Sequence, residues 1–464
     1  MRVRSKLFQH ISKKKLLLAF GDVLLIVGGL AGTSALSNSG NYFLGLPFFQ
    51  ETLLVSATFL FLFYLANLYC PLAPPHQRRA TLARILFAVA GAAGSTWMLS
   101  VIFSGMDLAG GRLAVLSLFM VPGAYLWRWA FERIFYGLMR PVRVLVVGAG
   151  WAGTTIGLVL APLREFRVLG YIDDDENKRM ERKDSAPVLG NTSDMLKVVG
   201  RYTPDLIVLA ITHEKRGEFF RHLLEYKMQG IAVYDMPSLY EELTGRIPVK
   251  HIRDSWFVYS SFRGIGRPAY AIKLKRLLDI ALSFFGIALS LPFMVLTIAA
   301  IALESGFPVL YKQKRVGQNE REFWLLKFRS MQNGAEDGTG AVWAKSKDDR
   351  VTKVGQIIRL LRIDEIPQMW NVLKDDMSFI GPRPERPEFV KEFKDTIPYY
   401  SLRHTIKPGI TGWAQVNYPY GASEEDALEK LQYDLYYLKN ISMLLDLHIL
   451  LRTVRVVLFR QGSR

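Results

Sequence analysis

The sequence predicts a multidomain membrane protein built from an α-helical transmembrane bundle, an α/β domain and a mainly helical domain with a re-entrant membrane helix. Four apolar runs, each near the ~20 residues that cross a bilayer as a helix, occupy the first third of the 464-residue chain. Strand and helix patterns alternate across residues 141–255, and a fifth apolar run, Ile280–Leu303, carries basic clusters at both ends. Charge divides the same way. Of the formal net +17, residues 1–143 hold +10, residues 144–267 hold +1 and residues 268–464 hold +6. A single cysteine, Cys70, excludes a disulfide scaffold, a CxxC redox pair and a Cys-based zinc site. A hydrophobic fraction of 50% excludes intrinsic disorder.

The bundle covers residues 1–140, with runs at 16–36, 52–70, 85–103 and 113–131. Arg2, Arg4, Lys6 and Lys13–Lys15 precede the first run, Arg78, Arg79 and Arg84 separate the second from the third, and Arg133, Arg140 and Arg143 follow the fourth. The other two connections hold Arg112 as their only cation, so both ends of the bundle are expected in the cytoplasm. Trp127 and Trp129 fall where an interfacial aromatic belt is expected. A cleaved signal peptide is the competing interpretation of the first run, and the three further runs argue against it. Asp22 is the only carboxylate inside a run, so the bundle reads as an anchor rather than a transport path.

The second domain, 141–255, opens with the strand pattern Val142–Val147, followed directly by Gly148-Ala-Gly150-Trp-Ala-Gly153 and a helical stretch. A second strand, Phe166–Ile172, ends in Asp173-Asp174-Asp175, and Asp205–Ile211 and Ile231–Asp235 read as further strands. Strand, GxGxxG and helix in that order form the Rossmann-like dinucleotide fingerprint, with Asp173 near the place of a ribose-binding carboxylate. The alternative is that Gly148, Gly150 and Gly153 serve only tight strand–helix packing. No Tyr-x-x-x-Lys pair occurs, so redox chemistry of the short-chain dehydrogenase kind is unsupported.

The third domain, 256–464, begins with Lys273-Leu-Lys275-Arg276-Leu-Leu-Asp279 and then the apolar run, in a segment 273–304 interrupted by Pro292. Proline removes one helical hydrogen bond and kinks the chain. Cations before the run (Lys273, Lys275, Arg276) and after it (Lys312, Lys314, Arg315) fit a helix that enters and leaves on one side. Phe323–Met331 reads as a strand carrying Lys327 and Arg329, Gly334–Gly340 as a loop, and Val354–Leu361 as a helix bearing Arg359. In Asp364-Glu365-Ile-Pro367, the proline suits a first helical position and sets both carboxylates at a helix start, where anions bind well. Two such carboxylates can divide labour, one attacking phosphorus and one holding Mg²⁺; an isolated pair could equally be a solvated cap. Gly381-Pro382-Arg383-Pro384 presents an arginine on a rigid turn, Lys407–Asn417 forms another loop with a cation, and Leu444–Phe459 reads as an interfacial helix.

Across residues 270–464 the segments KLKRLLD, KFRSM, RIDEIPQMWNVLKDDMSFIGPRPE, KPGITGWAQVN and YDLYYLKNIS resemble, in order, the bacterial sugar transferase family. These are monotopic polyprenyl-phosphate glycosyl-1-phosphate transferases that initiate exopolysaccharide, O-antigen and capsule repeat units. The first two thirds are similar to the N-terminal extension of the long members. The resemblance implies that Asp364 is a nucleophile forming a covalent phosphosugar intermediate and expelling UMP from a UDP-sugar, and that Glu365 coordinates Mg²⁺. It implies phosphate contacts for Arg359 and Arg383. It also implies a basic entrance of Lys273 and Arg276, partnered by Asp279, near the undecaprenyl phosphate headgroup. Lys327, Arg329 and Lys407 join the expected phosphate-binding set. Where the family often has Ser-Pro at the helix break, this chain has Ser290-Leu291-Pro292. The expected setting is the bacterial cytoplasmic membrane, as a multi-pass homodimer with both soluble domains cytoplasmic, in contact with other polysaccharide-assembly proteins. A non-catalytic, nucleotide-sensing assembly subunit is the alternative. Nucleic-acid binding is not expected, because the cations cluster at span ends and no nucleic-acid motif is present.

Overall fold

A computed structural model of the chain describes residues 2–36, 46–69, 78–102, 110–138, 140–175, 186–211, 217–252, 254–266, 268–335, 349–419, 421 and 423–459. Cys70, most of the Gly334–Gly340 loop and Arg460 lie outside the described residues, as do the side chains of Arg2–Lys13, Arg78 and Arg79. The chain divides into two compact units, Met1–Tyr234 and Asp235–Arg464.

The first unit begins with four apolar helices: α1 (Arg2–Leu36), α2 (Leu46–Leu65), α3 (Arg78–Ile102) and α4 (Gly110–Leu138). Each contains a stretch long and apolar enough to cross a membrane. Helix α1 packs on α2 and α4, and α3 on α2 and α4, around Ile26, Leu30, Phe59, Phe63, Ile85, Leu116 and Met120. Asp22 meets Arg128 in a bidentate pair at 2.9 Å for both oxygens, joining α1 to α4. Near the other end Arg112 donates to Ser34 Oγ at 2.8 Å and lies 3.6 Å from Glu51. Buried charges are expected to be paired in this way. Trp127 lies where α4 meets α1. It packs against Gly21 and its Nε1 donates to the Leu18 carbonyl at 3.1 Å, whereas Trp129 is exposed.

The alternating elements follow as β1 (Val142–Val147), α5 (Trp151–Leu160), β2 (Phe166–Ile172), β3 (Val188–Gly190), α6 (Met195–Tyr202), β4 (Leu206–Leu209), α7 (Glu218–Met228) and β5 (Ala232–Asp235). The sheet order is β3-β2-β1-β4-β5, and β1 runs parallel to both β2 and β4. In this order β1 lies at the centre of the sheet, flanked by β2 and β4, as in doubly wound α/β folds. A Cβ on Gly153 would stand 1.9 Å from the Gly148 carbonyl oxygen, so only glycine lets α5 approach β1 so closely. Asp173, at the end of β2, accepts from the Ala149 amide at 2.6 Å and from the Asp175 amide at 3.0 Å. Glycine turn and carboxylate are thus adjacent, as the spacing predicts, with the carboxylate bonded to the turn itself.

The second unit opens with α8 (Met236–Thr244), which the sequence grouped with the Rossmann-like domain. Residues 235–255 fall in the second unit with the chain that follows. Ile247 and Val249 enter the same core as Ile380, Leu431, Leu435 and Leu438. Glu241 accepts from Lys439 at 2.6 Å and Asn440 at 3.0 Å, and Trp413 Nε1 donates to the Gly245 carbonyl at 2.8 Å.

After α9 (Asp254–Tyr259) comes α10 (Ala269–Ser305), with a mean hydropathy of 2.3 in its most apolar window. Pro292 lies inside this single helical element. Proline at 292 cannot donate to the Ala288 carbonyl. Ser290 donates to Ile287, one carbonyl earlier, at 3.2 Å, so it does not replace a serine immediately before the proline. Antiparallel β6 (Leu310–Val316) and β7 (Glu322–Phe328) follow, paired from Leu310↔Phe328 to Val316↔Glu322. The remaining elements are α11 (Lys353–Leu360), α12 (Gln368–Leu373), β8 (Ser378–Ile380), α13 (Pro387–Thr396), β9 (Gly409–Thr411), α14 (Trp413–Asn417), α15 (Glu424–Asn440) and α16 (Met443–Leu458).

Candidate active site

A cavity of about 530 Å³ opens within the second unit, a size suited to a substrate rather than a water. Lys327 on β7, Arg359 on α11, Asp364, Glu365 and Arg383 all line it. Asp364 and Glu365 ride a 3₁₀ turn, Ile363–Glu365, immediately before α12, which is the helix-start placement predicted from Pro367. The turn is entered through Arg362 at φ +55°, a left-handed conformation that non-glycine residues adopt at some energetic cost and that recurs at functional sites.

Arg383 arrives on a zipped turn. Strand β8 pairs in parallel with β9, the Gly381 amide donates to the Thr411 carbonyl at 2.9 Å, and the Gly409 amide donates to the Pro382 carbonyl at 2.8 Å. A Cβ on Gly409 would stand 2.0 Å from the Gly381 nitrogen, so this contact admits no side chain. The turn delivers Arg383 Nη2 to Glu365 Oε1 at 2.6 Å. Lys327 Nζ stands 3.8 Å from the same oxygen, and Arg362 Nη1 is 4.0 Å from Oε2. Arg359 is fixed by its Nε donating to Ser330 Oγ at 2.8 Å.

This setting pushes the two carboxylates apart. Burial, and then the neighbouring charge of Glu365, raises Asp364 to about 6 against the pull of Lys327, Arg359 and Arg383. Burial also acts to raise Glu365, but the charges of Arg383 and Lys327 and the Arg383 hydrogen bond outweigh it and hold Glu365 at about 2. Burial lowers Lys327 to about 8, with Glu365 opposing. Adjacent carboxylates with opposed tendencies are suited to different tasks.

Most of the other predicted site residues are engaged by partners within the fold. Arg329 borders the cavity, but its guanidinium donates to the carbonyls of Ser305 and Gly306 at 2.8 and 2.7 Å, to Ser305 Oγ at 2.8 Å and to Asn333 at 2.8 Å. It caps the end of α10. Arg276 donates to the last carbonyls of α12, Val372 at 2.6 Å and Leu373 at 2.8 Å, and pairs with Asp375 at 3.0 Å. Lys407 pairs with the other oxygen of Asp375 at 2.5 Å. Asp279 accepts from the Phe379 amide at 3.0 Å, tying α10 to β8, and Lys273 is exposed. Neither Lys273, Arg276, Asp279 nor Lys407 lines the cavity. Sequence reasoning missed Arg362, although its position three residues before Glu365 is the spacing at which helical side chains meet.

Among the described residues no group of three or more His, Cys, Asp and Glu could hold a metal ion. Within the cavity, the carboxylates expected to meet a metal are Asp364 and Glu365. The pair fits Mg²⁺ in one way, since that ion commonly takes one or two protein carboxylates and completes its shell with substrate phosphate and water.

Residues 270–460 match a family model described as bacterial sugar transferase. A UDP-N-acetylgalactosamine-undecaprenyl-phosphate N-acetylgalactosaminephosphotransferase of Aeromonas hydrophila is 44% identical over 248 residues, 53% of this chain and 57% of that protein. A UDP-glucose:undecaprenyl-phosphate glucose-1-phosphate transferase of Xanthomonas campestris pv. campestris is 30% identical over 329 residues, 68% of this chain and 66% of that protein. A protein of the same description from Caulobacter vibrioides is 41% identical over 190 residues, 40% of this chain and 71% of that protein. The chain spans less than two thirds of the length of the first two.

Proposed function

Because the chain belongs to the bacterial sugar transferase family, we propose that it moves a sugar-1-phosphate from a UDP-sugar to undecaprenyl phosphate, releasing UMP and initiating a glycan repeat unit. The observation that carries this is the carboxylate pair Asp364–Glu365, with its opposed tendencies, in a cavity lined by Lys327, Arg359 and Arg383.

In the first step a carboxylate oxygen of Asp364 bonds to the sugar-bearing phosphorus. The bond from that phosphorus to the bridging oxygen breaks, and its electron pair leaves with UMP. In the second step a phosphate oxygen of undecaprenyl phosphate attacks the same phosphorus, the bond to Asp364 breaks, and the carboxylate is restored. Lys327, Arg359 and Arg383 stabilise charge on the phosphoryl oxygens throughout. Glu365 would hold Mg²⁺, which would supply further charge neutralisation at the diphosphate.

Helix α10 supports the membrane part of this proposal. Its apolar surface is largely exposed and cations stand at both its ends, which favours a segment entering and leaving from the cytoplasmic face. The cavity then lies at headgroup depth, where the acceptor phosphate resides. In this view the protein is a multi-pass component of the bacterial cytoplasmic membrane with both soluble parts in the cytoplasm.

The donor falls among UDP-hexoses and UDP-N-acetylhexosamines, the classes named for the relatives. The test is UMP release by the full chain in nanodiscs with Mg²⁺, undecaprenyl phosphate and single UDP-sugars. Release with one donor, dependent on metal and lipid, is expected. No release with any donor contradicts the proposal and favours the nucleotide-sensing subunit.

A further inference from the structure

The turn that carries Arg383 is gripped at two successive carbonyls by two other arginines. Arg403 Nη2 donates to the Arg383 carbonyl at 2.9 Å, and Arg315 Nη1 donates to the Pro384 carbonyl at 3.0 Å. Both are themselves anchored. Arg403 is 5% exposed, lies 2.8 Å from Asp434 on α15, and donates to the Tyr400 hydroxyl at 2.7 Å. Arg315 on β6 donates through Nε to Gln313 at 3.0 Å and lies 3.6 Å from Glu385.

Stability alone is a poor explanation for the Arg403–Asp434 pair. Removing two charges from water costs about as much as their attraction returns, and apolar replacements of similar volume are often neutral or stabilising. What such a pair provides here is direction. A planar guanidinium held through Nη1 by the Tyr400 phenol and beside Nη2 by the Asp434 carboxylate presents Nη2 to a fixed point, the carbonyl of Arg383. Arg383 reaches Glu365 through a long side chain that is 31% exposed, so the place of its guanidinium depends on where its backbone is held.

We infer that Arg403, oriented by Asp434 and assisted by Arg315, is a positioning residue that fixes the backbone of residues 383–384 so that the Arg383 guanidinium meets the Asp364–Glu365 pair. The inference rests on the proposed phosphosugar transfer. It assigns Asp434, which the mechanism leaves without a task, a part in holding the active site together. Misplacing a catalytic group by about 1 Å can cost up to about 100-fold in rate.

The test is a double-mutant cycle on the full chain in nanodiscs, following UMP release and thermal unfolding. Arg403→Lys keeps the charge and loses the fork. It should lower kcat about tenfold or more in the wild-type background, with KM for the donor within about twofold, because the loss falls on transition-state charge. In the Arg383→Ala background, where the side chain to be positioned is gone but its carbonyl remains, the same substitution should change kcat by less than about twofold. Its effect on unfolding should be equal in both backgrounds. Equal losses of kcat in both would overturn the inference and leave Arg403 a structural residue. If Arg403→Lys does not fold, Arg315→Lys is placed in the same cycle with the same expectations. Wild-type protein that releases no UMP overturns the function and the inference with it, and this control separates the two failures.

Discussion

Asp364 is a buried carboxylate whose ionised form is disfavoured by burial and by Glu365, and retained only by the cations facing it. A nucleophile must be ionised, so turnover should fall as pH drops through about 6, where Asp364 takes up its proton. A pH–rate profile of kcat/KM checks this; a flat profile down to pH 5 would contradict it. The stability consequence has the opposite sense. The folded value lies above the unfolded value of about 3.9, so stability is fully present below the latter and is lost as pH rises through the former. Asp364→Asn should therefore abolish turnover and leave the melting temperature at pH 8 unchanged or higher, by roughly 2–4 °C for each kcal/mol recovered. At pH 4 that difference should vanish. Lower stability at pH 8 would show that Asp364 is held mainly by its cations.

Residue identity made Asp364, Glu365, Arg359, Arg383 and Lys327 legible in the sequence, because adjacent carboxylates before a proline and cations on neighbouring motifs have few other uses in combination. Arg329, Arg276 and Lys407 read the same way in the sequence, because a cation satisfies a phosphate, a helix-end carbonyl or a carboxylate equally well. Only the tertiary partner decides, and here the partners are Ser305, Gly306, Val372, Leu373 and Asp375.

At the scale of elements, the site depends on β8 and β9 meeting through glycines. Gly409→Ala would press a methyl group into the Gly381 backbone, and neither side can yield by moving a side chain. The expected cost is about 1–3 kcal/mol or more in unfolding free energy, together with lost activity from displacement of Arg383. Chemical denaturation of the purified variant measures the first. Unchanged stability would mean that the two turns separate easily. The periodic elements themselves were legible, from the strand Val142–Val147 to the helix bearing Arg359, since hydrophobic period survives any tertiary arrangement. The contact of Trp127 with Gly21 is not legible, because it joins residues 106 positions apart on two helices.

At the scale of the molecule, the boundary at 235 carries its own prediction. Helix α8 continues the strand–helix alternation in the sequence, which is why residues 235–255 read as the end of the Rossmann-like domain. Its contacts with Lys439, Asn440 and Trp413 are visible only in three dimensions. A protein beginning at 235 should fold and release UMP, whereas one beginning at 256 loses Ile247, Val249 and the Glu241 clasp and should be markedly less stable. Equal melting of the two would return the boundary to 255. Reporters placed after Arg267 and after Gly317 should both read cytoplasmic if α10 re-enters; opposite sides would make it a span.

The most direct measurement is the mass of the peptide containing Asp364 after the protein meets its UDP-sugar without undecaprenyl phosphate. A covalent nucleophile predicts an added phosphosugar on that peptide, stoichiometric UMP, loss of the adduct when lipid is supplied, and no adduct in Asp364→Asn. UMP released only when donor and lipid are present together, with the peptide unmodified throughout, would contradict the two-step account and point to direct transfer between the substrates.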